Sequence, residues 1–97
     1  MRMPSLVKKP EEMFSIGLKY ISPDLEEGMY LTDATVTITP DEVGGLKKEG
    51  NAVIEPDIVS QMIKEGIVGK EYFVDFVVTT SGGHIYKDTI FVKIRNR

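Results

Sequence analysis

The last third of the chain, Glu71 to Arg95, limits the possible folds more than any other stretch. It reads EYFVDFVVTT and then IYKDTIFVKIR, separated by Ser81-Gly82-Gly83-His84. Both runs are dense in β-branched and aromatic residues, which suit a pleated surface, and the Gly-Gly pair suits a tight hairpin turn. Tyr72, Val74, Phe76 and Val78 share one face of the first run, with Phe73, Asp75, Val77 and Thr79 on the other. In the second run Tyr86, Ile90, Val92 and Ile94 form the inward set, with Thr89, Phe91 and Lys93 outward. Apolar residues therefore occur on both faces, which predicts central strands or a face covered by something else. If nothing covers them, Phe73, Val77 and Phe91 form an adhesive patch.

Shorter strand signals precede this hairpin. Phe14, Ile16 and Leu18 alternate with Ser15, Gly17 and Lys19, the period-two pattern of a half-buried strand. Ser22-Pro23-Asp24 interrupts the pattern, Leu25 reads as a core anchor inside a polar loop, and Gly28 as a turn. Ala34, Val36 and Ile38 face one way and Thr35, Thr37 and Thr39 the other, until Pro40-Asp41 ends the run. Gly44-Gly45 and Lys47 to Asn51 make the middle of the chain turn-rich. Met1 to Pro10 reads as a flexible arm with two prolines and few apolar residues, leaving one domain over residues 11–97. Asp57 to Lys64 is ambiguous. Ile58, Val59, Met62 and Ile63 suit one helical face, with Pro56 before and Gly66 after, yet the same eight residues also read as a strand covered on both faces.

Composition narrows the function classes. A chain of 97 residues supports one core. With 41% hydrophobic and 28% charged residues it has the balance of a folded globule. The net charge of -3 gives no long-range attraction to nucleic acid or to an anionic membrane. The absence of cysteine removes disulfides, thiolate chemistry and Cys-based zinc sites together. No apolar run approaches the ~20 residues that span a bilayer, and the start lacks the apolar segment of a signal peptide.

The polar residues assemble into no recognisable chemistry. His84, the sole histidine, follows Gly82-Gly83 and reads as an exposed turn residue rather than a general base or metal ligand. Asp75 and Asp88 fall at similar distances from the turn and could lie near each other across the hairpin. A carboxylate pair needs a cleft and a reason for one acid to stay protonated, so solvent-facing charges are the expected outcome. Asp24, Glu26 and Glu27 offer oxygen ligands without the ordered spacing of a calcium loop. Ser81, His84 and Asp88 can be counted as a triad, but no oxyanion site accompanies them. Neither glycine pair belongs to a phosphate-binding motif. Lys8-Lys9, Lys47-Lys48 and Arg95 to Arg97 are small basic clusters without RNA-binding signatures. No catalytic, cofactor-binding or metal-binding residue is assigned.

The order of elements resembles a group of small phage and prophage structural proteins with an immunoglobulin-like β-sandwich. The likeness runs through Lys8, Pro10 and Glu12, then Leu25, Gly28, Ala34, Thr35 and Val36. It resumes at Gly66, Gly69, Tyr72, Thr79-Thr80-Ser81, Gly82 and the final strand. It weakens through Glu42 to Pro56. The resemblance implies an all-β sandwich of about seven strands, with Asp57 to Lys64 as a strand. An α+β domain with one short helix at 57–65 is the alternative. Tyr72 then resembles the tyrosine-corner residue, whose hydroxyl ties a loop to backbone. The implied function is a non-enzymatic structural or assembly part acting through protein–protein contacts. Its implied partners are subunits of the same or a related assembly, a homo-oligomer included, in the virion or in the host cytoplasm during assembly. A stand-alone module recognising a carbohydrate or host protein is the alternative function.

Overall fold

Alternating burial along β-rich segments, clearest in the last third of the chain, sorts this chain into two sheets. The computed structural model describes residues 5–20, Leu25 and residues 28–96. Seven strands follow in order: β1 (Ser5–Lys8), β2 (Phe14–Lys19), β3 (Leu31–Thr39), β4 (Lys47–Glu55), β5 (Ile58–Lys64), β6 (Glu71–Thr80) and β7 (Ile85–Ile94). They form a four-stranded sheet in the order β1-β7-β6-β3 and a three-stranded sheet in the order β2-β5-β4. The arrangement is that of an immunoglobulin-like sandwich, and no helix occurs among the described residues.

The core lies between the sheets. Tyr72, Val74, Phe76 and Val78 of β6 meet Ile90, Val92 and Ile94 of β7 and Val36 of β3. Ile16 of β2 and Val59 and Ile63 of β5 close it from the other side, with Leu25, Leu31 and Leu46 at its ends. The inward sets expected in β2, β3, β6 and β7 are thus the ones observed, with Tyr86 only half-buried.

Asp57 to Lys64 resolves as strand, and the alternative helix at 57–65 is excluded. Ile58–Lys64 pairs antiparallel with β2 on one side and β4 on the other. Central placement explains why apolar residues occur on both faces, the feature that mimicked a helical stripe. Gln61 is the polar exception on the buried face. Its Nε2 donates to Gly50 O at 3.1 Å and Met62 O at 3.0 Å. Those bonds hold a bulge in β4, where Gly50, Asn51 and Ala52 together oppose the single residue Gln61 of β5.

Two segments differ from expectation. The stretch expected to be turn-rich contains the nine-residue β4. It is an exposed edge strand broken by its bulge, so it lacks the alternation that announces a strand. Ser5–Lys8, inside the expected arm over residues 1–10, forms β1 and pairs parallel with β7. Leu6 packs against the core, and a buried polar side chain adds to the hold. Lys8 is fully buried, and its Nζ donates to Lys9 O at 2.8 Å and to Glu65 O at 2.6 Å. Glu65 has φ +65°, which turns its carbonyl toward that ammonium as β5 ends. Glu12 Oε1 accepts the Lys9 N–H at 2.8 Å, so the Lys8, Pro10 and Glu12 motif closes a turn between β1 and β2.

Candidate functional site

Register places the outward side chains of the four-stranded sheet in rows. One row runs Val7, Lys93, Glu71; the next runs Ser5, Phe91, Phe73, Thr39. Then follow Thr89, Asp75, Thr37 and, after them, Lys87, Val77, Thr35. No element of the described chain packs over these rows. The Phe73 and Phe91 rings lie 4.9 Å apart at 41°, and Lys93 Nζ stands 5.9 Å from the Phe91 centroid. Phe73 keeps 41% of its surface exposed, Val7 59%, and Ile85, at the far end of the sheet, 68%. Val77 and Phe91 are half-buried by their neighbours. An apolar strip rimmed by threonines and mixed charges suits contact with another protein surface.

The rows also separate the two aspartates. Asp75 is opposite Thr89 while Asp88 is opposite Phe76, so their side chains leave opposite faces of the sheet. Thr89 Oγ1 donates to Asp75 Oδ1 at 2.5 Å, and Tyr20 Oη donates to Asp88 Oδ2 at 2.7 Å. They make no carboxylate pair. His84 is exposed at the turn, with its Nδ1 3.3 Å from Tyr86 Oη. Ser81 Oγ accepts the Tyr30 N–H at 3.1 Å. Ser81, His84 and Asp88 thus have three separate partners and form no triad. Asp24, Glu26 and Glu27 lie outside the described residues. Among the described residues, no group of three or more His, Cys, Asp or Glu is placed to hold a metal ion. No helix there is long and apolar enough to cross a membrane.

Turn geometry explains the glycines of the closing hairpin. Gly83 N–H donates to Thr80 O at 2.9 Å and Gly83 has φ +84°, the left-handed residue of a three-residue hairpin loop.

At the opposite end of the hairpin, Tyr72 clasps two loops. Its hydroxyl donates to Glu42 Oε2 at 2.8 Å and accepts the Ile67 N–H at 3.3 Å. This is the loop-to-backbone tie of a tyrosine corner, five residues upstream. Lys70 Nζ stands 3.5 Å from Glu42 Oε1 and completes the cluster. Burial pushes the Tyr72 phenol above its ordinary pKa, and the bond to Glu42 adds to that. Burial likewise pulls Lys8 below the ordinary lysine value, against the opposing pull of Glu12, Glu11 and Glu65. Both groups fasten loops and face no cleft.

Two shallow grooves of about 350 Å³ flank Lys48 where β3 meets β4. Lys48 Nζ donates to Val36 O at 2.8 Å between them. Their walls, which include Thr35, Thr37, Asp41, Asn51 and Gln61, contain no aromatic side chain of the kind that stacks on a sugar.

Sequence reasoning had named Phe73, Val77 and Phe91 as the open question. It missed Ile85, which alternation along β7 already places with Phe91, and Val7, which only the β1–β7 register brings to the same face. The family model described as podophage GP4 fiber-tail adaptor protein gp77 matches residues 8–93. No curated protein matches the chain.

Proposed function

Because the chain belongs to the podophage fiber-tail adaptor family, we propose that it is a virion part that joins a fiber component to a tail component. It acts through protein contacts and performs no chemistry. The observation that carries this reading is the family match, which spans β2 to β6 entirely and nearly all of β7. The uncovered face of the four-stranded sheet supplies a surface suited to the task. Phe73 and Phe91 sit on its two central strands, and aromatic anchors within a polar rim are the residues that dominate protein interfaces. Assembly takes place in the host cytoplasm and the finished part travels with the particle.

Quantitative mass spectrometry of purified virions tests the placement. The protein is expected at a fixed copy number relative to the tail subunits. Its absence from washed particles overturns the reading. Phe73→Glu tests the surface, since it puts a charge on the exposed strip without touching the core. It is expected to lower the melting temperature by only a few degrees, leaving the chain folded, and to deplete the protein from particles. Normal incorporation of a folded Phe73→Glu variant removes this face from the interface.

A further inference from the structure

The two sheets present four outer edges, and three of them are blunted. In β3, Asp33 Oδ1 accepts the Ala34 N–H at 2.9 Å and Lys48 Nζ covers Val36 O. In β4, the bulge between Glu49 and Val53 interrupts the edge, with Gly50 at φ +75°. β1 is only four residues long. Short edges, bulges and polar caps are the devices by which sheets avoid pairing with another chain.

β2 carries none of them along its centre. Its only strand partner is β5, so its outer edge is free among the described residues. Tyr20 N–H donates to Asp57 O at 2.8 Å, which marks that pair as hydrogen-bonded. Alternation along the antiparallel ladder then directs the backbone groups of Phe14, Ile16 and Leu18 toward β5. Those of Ser15, Gly17 and Lys19 point away from it. These three residues are exposed, and no side chain of the described structure caps their outward N–H and C=O groups.

We propose that β2 pairs antiparallel with β2 of a second copy of this chain, on a two-fold axis at Gly17. This centring matches Ser15 with Lys19 of the second copy and Gly17 with Gly17, so outward groups meet outward groups throughout. A centre shifted by half a residue would set outward groups against groups already bonded to β5. The side chains agree with the register. Gly17 brings no Cβ to the axis, and each Lys19 faces a serine rather than the other lysine. On the inner face, Ile16 meets Leu18 of the second copy and continues the apolar layer of the core. The product is one six-stranded sheet in the order β4-β5-β2-β2-β5-β4. The outer faces of both four-stranded sheets remain free for other partners, so this inference does not depend on the adaptor reading.

Sedimentation equilibrium of the full chain tests the pairing. Twice the 10.9 kDa chain mass is expected. Ser15→Pro removes an outward N–H without touching the β5 ladder and is expected to give a folded monomer. Ser15→Lys sets two like-charged pairs across the axis and is expected to weaken dimerisation about tenfold. Adding Lys19→Glu to Ser15→Lys turns both pairs attractive and is expected to restore it. Thermal melts verify that each variant is folded, and Ser15→Glu, attractive toward Lys19, serves as the opposite-sign control. A wild-type chain that stays monomeric up to about 1 mM, a dimer indifferent to Ser15→Pro, or the lack of rescue by Lys19→Glu overturns the proposal. Strand exchange with an unrelated extended peptide in place of a second copy is read as the same failure.

Discussion

The inner and outer faces of the β6–β7 hairpin use similar residues at the same spacing, yet they do different work. Inward, Tyr72, Val74, Phe76, Val78, Val92 and Ile94 are wholly buried between the sheets. Outward, Phe73 and Phe91 lie tilted against each other and meet no opposite sheet. An apolar side chain that meets the opposite sheet contributes to folding. One that meets only its neighbour across the ladder contributes little to folding and remains available to a partner. The sandwich has placed its stabilising and its adhesive residues back to back on the same two strands.

Substitutions sharpen or break that contrast. Phe76→Ala empties a fully enclosed site and is expected to lower unfolding free energy by about 3–5 kcal/mol in urea titration. A loss no larger than that of Phe73→Ala breaks the comparison. Tyr72→Phe keeps the ring but leaves Glu42 and the Ile67 N–H without their partner, for an expected loss of about 1–3 kcal/mol. Its pH signature is separate. Because the folded-state pKa of Tyr72 is raised, its contribution is fully present below the unfolded tyrosine value and is lost as pH rises through the folded one. Lys8, with a lowered pKa, acts in the opposite direction in the same alkaline range. The wild-type minus Tyr72→Phe difference therefore carries the test, and it should shrink as pH rises beyond about 10. Phe73→Ala removes only the ring pair and is expected to cost about 0.5–1.5 kcal/mol. His84→Ala, at the exposed turn, should change stability by less than about 0.5 kcal/mol and leave any virion incorporation intact.

Where local pattern and tertiary role coincide, the sequence is readable. The alternation in β2, β3, β6 and β7 follows from one face meeting the core, and Leu25 stands out as a lone apolar residue in a polar loop. β4 is not readable this way, because an edge strand with a bulge has neither a continuous apolar face nor a fixed period. β1 is hidden for another reason. Its partner lies at the far end of the chain, and beside Leu6 the buried group that secures it is a lysine, a residue type that composition assigns to the surface. The short Lys8, Pro10 and Glu12 motif was visible, but its purpose depends on Glu65 O, far along the chain. Pairing of Asp75 with Asp88 failed on a single residue of register, the interval that reverses a side chain's face. The outer patch was largely legible: Phe73, Val77, Phe91 and, by the same alternation, Ile85 follow from periodicity, and Val7 only from cross-strand alignment.

β1 and β7 run in parallel, from Ser5 beside Phe91 to Lys8 beside Ile94. A tension applied before Ser5 and after Ile94 therefore acts along both strands in opposite senses. Their backbone bonds are loaded side by side, in shear, and must yield together; an antiparallel terminal pair would open one bond at a time. The buried ammonium of Lys8, gripping Glu65 O on another part of the chain, anchors the same strand against sliding. The register of β1 on β7 thus makes the sandwich resist a pull along its chain by shear rather than by unzipping.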